Sequence, residues 1–181
     1  MTGRASLRFA LVLALFAGAV ALLFRDAIVG PLVQPLRLLT AQAVLVLIQQ
    51  VGLEAFREAG AIYHPGGFAY EISRGCLGLV PVGFLVVSVL AYPGTAAARK
   101  LMTLAVGVPL VLALNLMRLA HLFYLGVYQA DLFHVAHQVV WQGVMVLAVF
   151  LLWLVATGWS AHPVAGRAWY LSGKGQRPVA Q

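Results

Sequence analysis

Cys76 is the one cysteine among the 181 residues, and it lies in Glu71-Ile-Ser-Arg-Gly-Cys76-Leu-Gly-Leu, where a polar segment gives way to an apolar run. One thiol forms neither an internal disulfide nor a multi-cysteine metal site, so it is either an inert packing group or a nucleophile. Two other residue types bear on that choice. Arg118 follows an almost wholly apolar stretch, Leu101 to Met117, with Asn115 one turn before it. A charge at the centre of a spanning helix costs about 2.5 to 3.5 kcal/mol. Such an arginine either snorkels to lipid headgroups or turns its fork of donors inward, where it suits a carboxylate or a developing oxyanion. His134 and His137 share a face at the start of the next apolar run, within Asp131-Leu-Phe-His-Val-Ala-His-Gln-Val-Val-Trp-Gln142. With no clear carboxylate or third histidine on that face, no metal and no cofactor are expected. His64 reads as a turn residue beside Pro65, His121 as an interfacial group one turn beyond Arg118, and His162 lies past the last apolar run.

Together these groups define a chemistry. A thiolate, favoured at a helix N-terminus near a guanidinium, attacks a peptide carbonyl. Arg118 holds the tetrahedral oxyanion, and a histidine protonates the departing amine and then deprotonates an incoming acceptor. Around the thiol, Gly75 permits a sharp turn and Gly78 leaves room for a substrate chain. Arg74 and Glu71 are either substrate anchors or solvated loop charges. Ser73 and Ser88 lack a partner motif such as Gly-x-Ser-x-Gly.

The elements that must position these residues are membrane helices. The chain is 62% hydrophobic and only 9% charged, a balance that one soluble core of this size could not hide. Leu7 to Phe24, Leu77 to Tyr92, Leu101 to Met117 and Val135 to Ala156 each approach the roughly 20 residues of a span. Leu32 to Val51 is interrupted by Pro35, Arg37, Thr40, Gln42, Gln49 and Gln50. Arg4 and Arg8, Arg99 and Lys100, and Arg167, Lys174 and Arg177 mark cytoplasmic ends. That spacing of basic groups allows two crossings before Arg99, so Leu32 to Val51 reads as an interfacial or re-entrant helix on the outer side. The expected fold is an all-α integral membrane bundle of four spans plus that helix. The alternative is five spans with Arg4 and Arg8 outside.

The first run is too long for a signal h-region and reads as a retained anchor. Residues 1–160 form one membrane domain and 161–181 a basic cytoplasmic tail. The net charge of +7 is dispersed over termini and short loops, which suits membrane lipid and excludes a nucleic-acid stripe. Between Gly52 and Gly75, Leu53-Glu-Ala-Phe-Arg-Glu58 starts helically, turns follow at Gly60 and at His64-Pro-Gly-Gly67, and Phe68 to Ser73 alternates weakly as a short strand or extended loop. Because successive helices alternate in direction, Cys76 at one start, Arg118 at one end and the histidines at the next start share one membrane surface. With Arg99 and Lys100 inside, that surface is the outer one.

The order Cys76-Leu-Gly-Leu, Asn115-Leu-Met-Arg118, then a histidine opening the following helix resembles the exosortase and archaeosortase family of membrane cysteine transpeptidases. Asn115-Leu-Met-Arg-Leu-Ala-His-Leu-Phe-Tyr-Leu-Gly126 with Phe133-His-Val-Ala-His-Gln-Val-Val-Trp-Gln142 is most similar to the short subtype exosortase H. The resemblance spans roughly Leu36 to Leu152. It implies a bacterial inner-membrane, multi-pass enzyme with its site facing the periplasm or outer side. The implied substrate is a secreted protein carrying a C-terminal motif, a transmembrane helix and a basic tail, passed on to an unknown acceptor or to export. Cys76, Arg118 and His137 would be nucleophile, stabiliser and acid/base, with His134 the alternative histidine. Asn115, Arg74, Glu71 and Gly78 would bind or support. Leu77 departs from the small polar residue that many members carry after the cysteine. Two other classes compete: a non-catalytic assembly factor that binds a partner's transmembrane helix, and a phosphate-group enzyme that lacks further basic residues at the shared face.

Overall fold

The computed structural model describes residues 11, 12, 14–16, 18, 21, 26–92 and 95–157. Much of the expected first span, with Arg4 and Arg8, and the basic segment 161–181 lie outside the described residues.

Helix α1, Asp26–Gln50, is one uninterrupted helix of 25 residues that contains Pro31 and Pro35. A re-entrant segment would have to reverse direction, and α1 does not, so that version of the expectation fails. Its polar residues instead hold the segment that follows. The Arg37 Nε donates to the Ile72 carbonyl at 2.9 Å, and its Nη2 pairs with Glu71 at 2.9 Å. Arg57 Nε donates to Gln42 at 3.2 Å, and Gln49 Nε2 donates to the Ala55 carbonyl at 3.0 Å.

That segment is a small antiparallel sheet in the order β1 (Phe56–Glu58), β2 (Ala61–Tyr63), β3 (Ala69–Glu71). The helical start expected over Leu53 to Glu58 is therefore wrong. The connection Ala59-Gly60, with Ala59 at φ 51°, pairs Glu58 directly with Ala61 and closes a hairpin too tightly for a helix to precede it. The second turn forms as expected: His64 N–H donates to the Phe68 carbonyl at 2.8 Å, and Gly67 adopts φ 96°. The β2–β3 register sets Ile62 opposite Tyr70 on the buried face, with Ile72 two residues along on the same side. The fold is thus mostly helical with one sheet, rather than all-α.

A single 3₁₀ turn, Arg74–Leu77, leads to α2 (Leu79–Ala91), α3 (Ala97–Tyr128), α4 (Ala130–Val135), a widened π turn (Ala136–Val140) and α5 (Trp141–Thr157). Helices α2, α3 and α5 pack around Leu85, Val89, Val111, Met145 and Val149. Two helical stretches, Ala97–Tyr128 and Ala130–Thr157, are long and apolar enough to cross a bilayer, and only 22% and 17% of their most apolar windows are buried. Their remaining apolar surface faces outward, which water would not tolerate and lipid does. Helix α2 rises roughly 20 Å, short of the hydrocarbon thickness of about 30 Å.

Arg118 does not close its helix, as the sequence had led one to expect, because α3 continues to Tyr128. The extension is held by a second core in which Leu119 and Phe123 meet Val44 and Ile48 of α1 and Ile62 and Ile72 of the sheet region. Both ends of α3 therefore have work: its first half belongs to the apolar bundle, and its second half carries the sheet and α1.

Candidate active site

The 3₁₀ turn places Cys76 in the core shared by α1, the sheet and the second half of α3, 5% exposed, with its N–H donating to the Ser73 carbonyl at 3.0 Å. Gly78, at φ 71°, ends the turn and separates it from α2. Cys76 thus sits ahead of α2, not in its first turn, which corrects the expectation that it opens that helix. Side chains rather than a helix end define its surroundings. At Gly78 α3 also comes close: a Cβ there would lie 3.1 Å from Asn115 Cγ. The space read as room for substrate is filled by Asn115, whose Nδ2 donates to the Cys76 carbonyl at 2.7 Å.

Two hydroxyls flank the sulfur. Tyr70 Oη stands 3.6 Å from Cys76 Sγ and Ser73 Oγ 3.3 Å, the first buried and the second at the exposed rim. Burial pushes the Tyr70 phenol far above its ordinary range, the neighbouring Cys76 adds to this, and Arg118 opposes it. Arg118 itself is 7% exposed, and its Nε has no partner. Asn115 Oδ1, one turn earlier, is likewise buried without one. These two buried polar atoms, three residues apart on α3, keep hydrogen-bonding capacity that no protein group among the described residues takes up. The Arg118 guanidinium is within electrostatic range of both Tyr70 and His137.

His137 reaches the site through the π turn, which widens the helix where the side chain is needed. Its ring is stacked on Phe133, centroids 5.9 Å apart and planes at 6°, and Phe133 meets Tyr70 edge-on at 5.8 Å. His134 is exposed. The structure thus joins Asn115 to Cys76, sets Arg118 within electrostatic range of Tyr70 and His137, and leaves His134 exposed. Glu71 is engaged by Arg37 on α1, and Arg74 reaches the same helix, its Nη2 3.7 Å from where a Gly30 Cβ would be. His121 faces away from the thiol and accepts a hydrogen bond from Trp141 Nε1 at 3.0 Å.

Sequence reasoning gave no role to Tyr70 or Phe133 and weighed Ser73 only as a nucleophile. The weak alternation from Phe68 to Ser73 held the signal for Tyr70, since a strand there turns Tyr70 and Ile72 to the same buried face. Nothing comparable pointed to Phe133.

Apolar helices with most of their surface facing outward, and a buried thiol and guanidinium on neighbouring elements, define the class as a helical membrane protein with polar groups in its interior. The family model described as transmembrane exosortase (Exosortase_EpsH) matches residues 1–159, and the chain belongs to that family of membrane sorting transpeptidases. No curated protein and no solved structure matches the chain.

Proposed function

We propose that this protein is a cysteine protease or transpeptidase that cleaves C-terminal sorting signals of secreted proteins at the outer side of the bacterial inner membrane. One observation carries the proposal: Asn115 ties the Cys76 carbonyl to α3 one turn before the buried Arg118, so the turn that holds the thiol is fixed to the helix that carries the guanidinium.

In the reaction, the Cys76 proton passes to His137, and the sulfur attacks the scissile carbonyl. The oxyanion that forms takes hydrogen bonds from Arg118, whose Nε is already desolvated and unpaired. Collapse breaks the C–N bond, and His137 gives its proton to the departing amine. A thioester remains on Cys76. Neutral His137 then takes the proton of an acceptor amine, hydroxyl or water, whose attack expels the sulfur and frees the product. Asn115 and Gly78 shape the cysteine turn, and Arg74 and Glu71 stand where a substrate's polar motif would enter.

Topology supports an outward site. The rise along α3 from Lys100 to Arg118 is about 27 Å, close to the hydrocarbon thickness of about 30 Å. With Arg99 and Lys100 at the cytoplasmic interface, Arg118 and Cys76 lie at the outer one. On this view there are four spans, with α1 beside the outer cap where Arg37, Gln42 and Gln49 hold the sheet, and residues 161–181 are a cytoplasmic tail. The substrate's transmembrane helix, ending in a basic tail, matches the same charge rule.

The thioester gives the test. A tagged substrate of that design, co-expressed with the enzyme, is expected to yield a hydroxylamine-sensitive adduct at Cys76. An adduct that persists in Cys76→Ala with the same added acyl mass would refute the proposal.

A further inference from the structure

We infer that Tyr70 and Ser73 form a two-hydroxyl cradle for the ionised sulfur of Cys76, and that Tyr70 is a further residue of the catalytic apparatus. Resting on Cys76 as nucleophile, this assigns a task to two residues that the thiol, guanidinium and imidazole chemistry leaves unused.

The geometry is direct. Tyr70 Oη and Ser73 Oγ approach Sγ to 3.6 and 3.3 Å, within the longer range of hydrogen bonds to sulfur. In the thiol form either partner of each contact can donate. A thiolate has no proton, so both hydroxyls must then donate to it. Tyr70 is well held for this purpose. The register with Ile62 fixes its strand, its ring lies edge-on against Phe133, and Phe133 carries His137 on its other side. The titratable and charged groups facing this region are Tyr70 from β3, Arg74 from the cysteine's own turn, Arg118 from α3, which acts on Tyr70, and His137 from the π turn, which is within electrostatic range of Arg118 and His134. Since burial keeps the Tyr70 phenol protonated far above neutral pH, it remains a donor wherever the sulfur is ionised. His137 makes no described hydrogen bond to Cys76, so the cradle supplies what the imidazole does not in the resting enzyme.

The cradle acts on one state of the sulfur only. It favours the thiolate over the thiol and over the thioester, because the charged acceptor makes the stronger hydrogen bonds. It therefore stabilises the ionised form of the sulfur while slightly lowering the nucleophilicity of each thiolate. These opposing effects give Tyr70→Phe a signature that loss of packing cannot imitate.

The experiment measures the rate of alkylation of Cys76 by iodoacetamide in full-length protein in detergent, at pH 7 and at pH 10, for wild type, Tyr70→Phe and Ser73→Ala. Tyr70→Phe keeps the ring on Phe133 and removes only the hydroxyl. The expected result is a rate about two- to tenfold lower at pH 7, from one lost hydrogen bond, with a rate at pH 10 equal to or above wild type. Ser73→Ala should show a smaller change of the same shape. An equal factor at both pH values, no change, or a gain at both overturns the cradle. Substrate processing by the same variants and by Cys76→Ala separates the two ideas. Loss of processing in Cys76→Ala with unaltered alkylation in Tyr70→Phe keeps the nucleophile and removes the cradle. Full processing by Cys76→Ala removes the nucleophile.

Discussion

The side-chain amide of Asn115 donates to the backbone carbonyl of Cys76 at 2.7 Å, across 39 residues of sequence. This contact fixes the cysteine turn to the helix that carries Arg118. It also requires Gly78, since any side chain there would meet Asn115.

Replacing Asn115 by Leu should remove the donor and leave a buried carbonyl unpaired, at a cost of about 1 to 3 kcal/mol. Thermal unfolding in detergent should show a lowered midpoint. Processing should fall as well, because the turn that holds the sulfur is no longer tied to α3. An unchanged midpoint would mean that the contact contributes nothing to the fold.

Gly78→Ala combines a positive φ of 71° with a Cβ 3.1 Å from Asn115 Cγ. The left-handed backbone alone costs roughly 1 to 2 kcal/mol for a residue with a Cβ. Lower stability and lower activity should appear together, whereas Gly52→Ala, at φ 81° but with nothing within 4 Å, should lower stability with little effect on activity. Paired unfolding and processing measurements separate the two positions.

The two histidines should behave differently. His137→Gln removes the imidazole stacked on Phe133 and is expected to lower turnover by about 10²- to 10⁴-fold, the range for a general acid or base. His134→Gln alters an exposed side chain and should stay near wild type. The reverse ranking in a turnover assay would reassign the acid/base role.

What could be read in the sequence was which polar residues interrupt the apolar runs; what could not was the extent of the elements. Cys76, Asn115 and Arg118 stood out as polar groups in or beside apolar runs, and His137 was set above His134 by the family resemblance. The end of α3 did not, because Arg118 looks like an interfacial stop unless one knows that Leu119, Leu122 and Phe123 bury against α1 and the sheet. Hydropathy indicated the helix α1 but not why Arg37, Gln42 and Gln49 break its apolar pattern, which is to bind a sheet three strands wide and three residues long. Strands so short give almost no periodic signal, and Leu53 to Glu58 has the composition of a helix. Tyr70 was hidden for the same reason.

Arg118→Lys retains the positive charge but loses the planar fork. If Arg118 stabilises the oxyanion, turnover should drop by about 10²- to 10³-fold, with substrate cross-linking to the enzyme largely preserved. Equal losses in cross-linking and turnover would point instead to a substrate-binding role.

The Arg37–Glu71 pair is 22% and 74% exposed by side chain, so the ion pair itself is screened and worth at most about 1 kcal/mol. Glu71→Gln should therefore change the unfolding midpoint little. Arg37→Met should lower it more, because it also removes the donor to the Ile72 carbonyl next to the site. Similar midpoints for both variants would show that the Ile72 contact does not matter.

The most direct test of the central claim is the processing of a tagged secreted protein with a C-terminal motif, transmembrane helix and basic tail, co-expressed with wild type or with Cys76→Ala. A shortened product with wild type and an intact substrate with Cys76→Ala is the predicted result, and the mass of the new C-terminus then separates hydrolysis from transfer. Equal processing by both proteins would contradict a cysteine nucleophile and leave a non-catalytic factor that binds the substrate's helix as the better account.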